Sequence, residues 1–426
     1  MEPQDRVQFP AFAPSNIKME TTKGVKDYKP KEQFLREKFL EIATKTYKRY
    51  GFNPLQTPII EREETLTNKY AGGEEILKEI YTLKDQGNRN LALRYDLTVP
   101  LGRYIKENPD VKIPFKRYQF GPVFRDGPIK KGRFREFIQC DADVIGNKEV
   151  WAEAELLKMV SDVFKELNVK VIIKYNNIRL LKEVLKTKDV KDETSTILTL
   201  DKLAKIGEKG VLKELEVKGE KNPKEILEAV KNSKNYDLEA KKELEEFEEY
   251  LKEFEVTNAV YDPTLARGLT YYTGAVYEAF LVDSEFKSSV AAGGRYDNMI
   301  GNLTGREYPA VGVTFGIDAL LDAIKKEEDV SIIDVCIVSI KQNKESIKIA
   351  NKLREQNINT ELLLNKNIKK ALSFANTYNV KYCLLVGEEE VQNKKYTLRN
   401  MKSGEEVKLK LDEIKAFIWM FLVFQE

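Results

Sequence analysis

From Tyr81 to Gly146 the chain runs through four strand-like stretches, YTLKD, NLALRYDL, FKRYQFGPVFR and FREFIQCDADVIG, punctuated by turn formers such as Gln86-Gly87-Asn88. Short strands joined by tight turns predict an antiparallel sheet and not a series of βαβ units. Strand character returns at AVYDPT, runs through Arg267–Val282 and SSVAAGGRYD, and ends in AVGVTFGIDALLDAI, which turns from strand into helix. Amphipathic spacing predicts helices over 31–50 and 153–168, the first stopped by Gly51. Between the strand VKVIIK and about residue 255 lies a lysine- and glutamate-rich helical stretch. Its Leu244, Phe247, Leu251 and Phe254 recur at helical spacing. A charged break at Glu327, Glu328 and Asp329 precedes alternating strands and helices, read as a small α/β domain with a mostly parallel sheet.

The fold class expected is therefore α+β. Residues 1–22 form a poorly ordered leader. Residues 23–175 and 256–326 carry the antiparallel sheet with flanking helices, 176–255 are a helical insertion, and 331–426 are the α/β domain.

Composition narrows the chemistry. The chain has no histidine at all. That excludes Ser-His-Asp triads, Cys-His pairs and histidine-ligated zinc. A net charge of +2 supplies no global field toward nucleic acid, so any such site is a local patch and a plain nucleic-acid-binding module is disfavoured. Cys140, Cys336 and Cys383 are odd in number, form no CxxC, and sit in apolar runs. They read as small buried hydrophobes in a reducing, cytoplasmic protein. The nine-residue apolar run near the C-terminus, Ala416 to Phe424, is too short to span a bilayer and reads as the end of a packed helix.

Three constellations carry chemistry. RGLTYYTGAVYE puts Arg267, Tyr271, Tyr272 and Glu278 on one segment that otherwise reads as a buried strand, with the two tyrosines on opposite faces if it is extended. Burying that arginine is costly unless something negative and hydrogen-bonding meets it, either a core ion-pair partner or a small polar ligand. The loop from Arg125 to Arg135 sets five cations against Asp126, a composition suited to a triphosphate or a nucleic-acid end. Lys130 and Lys131 fit a solvated tip; Arg125, Arg133 and Arg135 do not. Gln139, Asp141 and Asp143 share a strand face by period two, and Asp96, Gln139 and Asp143 form a set able to bind an ammonium and a ring N–H.

With these segments in view, the chain resembles the histidyl-tRNA synthetases, a class II aminoacyl-tRNA synthetase family. KGVKDYKP is similar to a degenerate form of the family's N-terminal motif. ETLTNKYAGGEEILKEIYTLKDQGNRNLALRYDLTVPLGRY resembles its archaeal and eukaryotic form. KRYQFGPVFRDGPIKKGRFREFIQCDADVIG resembles class II motif 2, RGLTYYTGAVYE and AAGGRYDNMIG the two histidine signatures, and GEEEVQNKKYTLRNMKSGEEVKL the end of the anticodon-binding domain.

The resemblance implies a class II-like catalytic domain, a C-terminal anticodon-binding domain at 331–426, a homodimer, and ATP-dependent ligation of L-histidine to tRNA(His) through a histidyl-adenylate, with Mg²⁺ on the phosphates. By the same resemblance Arg125 and Arg267 serve the α-phosphate as catalytic groups and Arg133 reaches the distal phosphates. Asp96, Gln139 and Asp143 take the α-amino group. Arg267, Tyr271, Tyr272 and Glu278 belong to the histidine pocket, Tyr272 against the imidazole, and Lys130 and Lys131 meet the tRNA end. One departure stands out: Ala319 occupies the place of the arginine in the family's third motif, leaving Arg295, Arg306 or Arg133 as substitutes. That gap favours the alternative, a non-catalytic paralogue acting as a regulatory subunit of ATP phosphoribosyltransferase or as a tRNA sensor. The complete C-terminal domain and intact histidine signatures favour the ligase.

Overall fold

In the computed structural model, residues 20–67, 77–129, 132–267, 271–323 and 331–423 are described. They fall into two compact units, one within residues 1–28 and 35–325, the other within residues 29–34 and 326–426.

Strands of the first unit are β1 (Asn53–Pro54), β2 (Ile60–Arg62), β3 (Thr82–Lys84), β4 (Asn90–Leu93), β5 (Phe115–Phe124), β6 (Glu136–Ile145), β7 (Val171–Asn177), β8 (Ala259–Tyr261), β9 (Ala275–Leu281), β10 (Ala291–Arg295) and β11 (Ala310–Gly316). Eight of them form one sheet in the order β1-β5-β6-β11-β10-β9-β7-β8, while β2-β4-β3 form a smaller one. The six central strands pair antiparallel, as expected from the tight turns; the edges β1 and β8 pair parallel, so the sheet is mixed.

Period-two alternation gives this sheet two unlike faces. Tyr118, Cys140, Ala142, Val144, Val311, Val313 and Phe315 belong to one core cluster with Phe39, Ala43 and Tyr47 of the helix Pro30–Arg49 and with Leu156, Val160 and Phe164 of the helix Trp151–Glu166. Phe315 is the hub, its ring 5.7 Å from Phe39 and 5.5 Å from Phe164. Each such buried aromatic stabilises the fold by roughly 1.5–3 kcal/mol. The intervening residues Gln139, Asp141 and Asp143 face the other way, into a cavity. Helix Thr98–Glu107, which follows β4, has no counterpart in the sequence reading.

The stretch from Ile178 to Glu253 holds five α-helices and a short 3-10 helix at Ser233–Asn235, with a kink at Gly207. Asn177 and Asp192 cap the first two by accepting the backbone N–H of Leu180 and Ser195. Buried stripes such as Leu244, Phe247 and Leu251 alternate with exposed lysines and glutamates, as the spacing predicts.

In the second unit β12 (Val335–Ser339), β13 (Thr360–Leu363), β14 (Tyr382–Val386), β15 (Tyr396–Asn400) and β16 (Glu406–Leu409) form a sheet in the order β13-β12-β14-β15-β16. The β12–β13 and β12–β14 pairs are parallel, but β14–β15 and β15–β16 are antiparallel. The expected mostly parallel sheet is thus evenly mixed, because the hairpin around Met401–Gly404 adds to it instead of standing apart. The three cysteines are free and buried.

Candidate active site

A cavity of about 260 Å³ opens on the polar face of the large sheet. Its floor comes from β6 and β11, which register Gln139 opposite Gly316, Asp141 opposite Thr314 and Asp143 opposite Gly312. Glycine at 312 is a steric requirement: a Cβ there would stand 1.9 Å from Asp143 Oδ1. Asp96 enters from the turn between β4 and the helix Thr98–Glu107. Arg94 fixes that turn, buried and donating to the carbonyls of Thr57 and Pro122 at 2.7 and 2.9 Å.

Arg125 and Arg267, 142 positions apart in sequence, both line this cavity. Arg125 Nε donates to the Tyr95 carbonyl at 3.0 Å, and its guanidinium lies 5.2 Å from the Phe137 ring. Burial lowers its pKa, opposed chiefly by Asp96. Arg267 donates to Glu278 and lies 5.6 Å from the Tyr272 ring. Burial works against its charge too, but Tyr272 and Glu278 outweigh it and raise the pKa.

The tyrosines depart from the sequence reading. The described part of the expected strand Arg267–Val282 becomes regular only at Ala275, so Tyr271 and Tyr272 lie in a turn and are not sent to opposite faces. Their rings approach to 4.7 Å and both line the cavity. A Cβ at Gly294 would stand 2.9 Å from the Tyr272 ring, so β10 needs glycine to let that ring in. Glu278 is not among the lining residues; it stands behind Arg267 as its partner.

The acidic floor is strongly desolvated. Burial pushes Asp96 up to about 6, against the Val99 N–H at 3.1 Å and Arg125. Burial also raises Asp141 and Asp143, against Arg117. Asp143 is the better held: Arg117 Nη2 lies 2.7 Å from Oδ2, and the Tyr296 hydroxyl donates to Oδ1.

Arg117, Thr314 and Tyr296 are site-forming residues that the sequence reading missed. Arg117 is fully buried directly across β5–β6 from Asp143. A charge at period two with Gln119 inside a strand was the available signal. Arg133 is exposed and does not line the cavity, although its charge acts on Arg125. Lys130 and Lys131 lie outside the described residues.

Of the three proposed substitutes for the arginine absent at 319, Arg295 is ruled out. Its guanidinium is committed to Glu153 at 2.5 and 2.6 Å, to the Asn147 carbonyl at 3.0 Å and to Asp297 at 3.1 Å. Arg306 is exposed and does not line the cavity. Among the described residues no group of three or more Cys, Asp and Glu side chains is placed to hold a metal ion.

Residues 24–320 match the family model described as histidyl-tRNA synthetase, and 334–419 match an anticodon binding domain. The chain is 45% identical over 422 residues to histidine–tRNA ligase 1 of Bacillus cereus, covering 94% of this chain and 97% of that one. The crystal structure of histidyl-tRNA synthetase from Nostoc sp. PCC 7120 superposes with a TM-score of 0.82 at 28% identity, covering 94% of this chain and 99% of that one. An ATP phosphoribosyltransferase regulatory subunit/histidyl-tRNA synthetase from Bacillus halodurans superposes at 0.72 with 18% identity, covering 88% and 100%, which speaks to fold alone.

Proposed function

The chain belongs to the histidyl-tRNA synthetase family and is an enzyme that ligates L-histidine to tRNA, and we propose that the cavity between Arg125 and Arg267 is where histidyl-adenylate forms. The observation that carries this reading is the sharing of one cavity by two arginines from distant segments, over a floor of carboxylates. An amino acid is a cation and an anion three atoms apart; an acidic floor and an arginine pair match that polarity.

In the proposed mechanism the histidine carboxylate attacks the α-phosphorus of ATP and pyrophosphate leaves. Arg125 and Arg267 offset the negative charge that develops on the α-phosphoryl oxygens. Asp96, Gln139 and Asp143 orient the α-ammonium, and Tyr271 and Tyr272 enclose the imidazole, with Glu278 holding Arg267 in place. The tRNA 3′ hydroxyl then attacks the acyl carbon, its proton passing to a phosphate oxygen of the departing AMP. Neither step needs a protein histidine, in keeping with a chain that has none. With no carboxylate cage among the described residues, Mg²⁺ fits only as a companion of the ATP phosphates, which is its usual mode of binding.

Residues 23–175 with 256–326 are assigned as the catalytic domain, 176–255 as its insertion, and 331–426 as the anticodon-binding domain. Lys130 and Lys131 remain candidates for the acceptor end of tRNA(His). Homodimerisation and a cytoplasmic location complete the reading; no helix among the described residues is long and apolar enough to cross a membrane. The archaeal and eukaryotic character read from residues 64–104 has no support in the relatives compared, which are bacterial. The non-catalytic alternative is no better supported by its 18%-identical neighbour. Histidine-dependent exchange between pyrophosphate and ATP tests the reading. Rapid exchange is expected; histidine binding without exchange would hand the case to the paralogue.

A further inference from the structure

We propose that Cys336 and Cys383 of the second unit are a redox-active dithiol that a hydroperoxide converts to an intramolecular disulfide, with Cys383 as the attacking thiolate and Cys336 as the resolving thiol.

The register of the sheet brings the pair together. β12 and β14 run parallel with Cys336 opposite Cys383, so both side chains leave the same face. Neighbouring strands stand about 4.8 Å apart, and the Cα atoms of a disulfide stand roughly 4.4–6.8 Å apart, so the backbone already meets the spacing that the bond needs. Both cysteines are free and fully buried, and their thiols hydrogen-bond to each other.

The row of residues across this face treats the two sulfurs differently. Glu361 of β13 lies opposite Cys336, and Arg399 of β15 lies opposite Cys383. The hydrogen bond with Cys336 pulls the Cys383 thiol below its ordinary value; burial opposes this and the Arg399 charge assists it. The hydrogen bond with Cys383 and burial push the Cys336 thiol up, with Glu361 in the same sense and Lys366 against it. A thiol of lowered pKa beside one that holds its proton is the arrangement of an attacking and a resolving cysteine. Access comes through the helix Ile368–Thr377, which packs on this face and buries only Ala371 and Ala375. An element held by so little apolar contact opens locally at low free energy.

The Cys383 thiolate attacks the peroxide: an S–O bond forms, the O–O bond breaks, and the departing oxygen takes up the proton that Cys383 released. The Cys336 sulfur then attacks that of Cys383: the S–S bond forms, the S–O bond breaks, and hydroxide leaves with the Cys336 proton as water. The two sulfurs together lose two electrons and the peroxide gains two.

Thiol counting on the full-length protein tests this. Native protein is treated with hydrogen peroxide, then denatured, alkylated and mapped by mass spectrometry. The wild type is expected to fall from three alkylatable thiols to one, Cys140, with Cys336 and Cys383 recovered as linked peptides from a chain that stays monomeric in a denaturing, non-reducing gel. Dithiothreitol is expected to restore all three thiols. In Cys336→Ser a dimedone adduct is expected at Cys383, and in Cys383→Ser none at Cys336. Three surviving thiols, sulfinic or sulfonic acids in place of the linkage, or a linkage between two chains overturns the proposal. Dimedone capture at Cys336 in Cys383→Ser overturns the assigned roles. Should either serine variant fail to fold, the wild-type count decides alone.

Discussion

Arg267 and Glu278 form an ion pair at the rim of the cavity, 16% and 20% exposed, although eleven residues and a turn separate them. The carboxylate is not among the groups lining the cavity; it pairs with the guanidinium of one that is. Pairing of this kind reduces the freedom of a long side chain before substrate arrives, so less ordering is left to the reaction.

Glu278→Gln should therefore damage chemistry more than binding. Replacing an ionised acceptor by a neutral one removes about 1.5–3 kcal/mol of charge-assisted bonding, or about 10- to 150-fold in rate if all of it serves the transition state. Histidine-dependent exchange is expected to fall in that range with the histidine dissociation constant moving much less. Arg267→Ala should fall further still. Equal losses in rate and binding would return both residues to a structural role.

Arg295 is consumed by Glu153, and neither Arg133 nor Arg306 lines the cavity, but the charge of Arg133 acts on Arg125, which makes it the substitute to test for the cation absent at 319. Arg133→Ala is expected to raise KM for ATP about tenfold, the effect of losing roughly 1.4 kcal/mol of phosphate contact. KM for histidine should hold. A matching rise for both substrates would argue that the loop was disturbed as a whole.

The reach of the sequence ends where contacts between distant segments begin. Alternation alone put Gln139, Asp141 and Asp143 on one face, and the tight turns marked the antiparallel core, because both follow from local backbone geometry. The turn that folds Tyr271 over Tyr272 was invisible, since it depends on the space left by Gly294 on another strand. The partners of Asp143 were equally hidden: Arg117 and Tyr296 lie 26 and 153 residues from it in the chain.

Gly312→Ala should break the floor from beneath. The new methyl would stand 1.9 Å from Asp143 Oδ1 and 3.2 Å from the Ala142 carbonyl, so either the carboxylate leaves Arg117 and Tyr296 or β11 shifts. Overpacking of this kind costs about 1–3 kcal/mol. A lowered thermal midpoint is expected, with weakened binding of both histidine and its deaminated analogue. A variant as stable and as tight-binding as wild type would show that the close approach of Gly312 to Asp143 is not required.

Asp96 contributes to the pH dependence of stability in the ligand-free enzyme, alongside the other buried carboxylates Asp141, Asp143 and Glu153. Its folded pKa is raised to about 6 by burial, whereas the unfolded carboxyl titrates near 3.9. Between these values the folded chain holds the proton more tightly than the unfolded one, so protonation stabilises the fold and stability falls as pH rises through the window. Above about pH 6 the whole penalty is present, about 2–3 kcal/mol for two pH units. Asp96→Asn removes the charge yet retains an acceptor for the Val99 N–H. The variant is expected to unfold at a higher temperature than wild type at pH 8, with the difference shrinking toward zero near pH 4, while losing affinity for histidine. Thermal unfolding measured across that range decides it: a variant less stable than wild type at every pH would mean that the Asp96 carboxylate supports the fold and is not a strain maintained for the ligand.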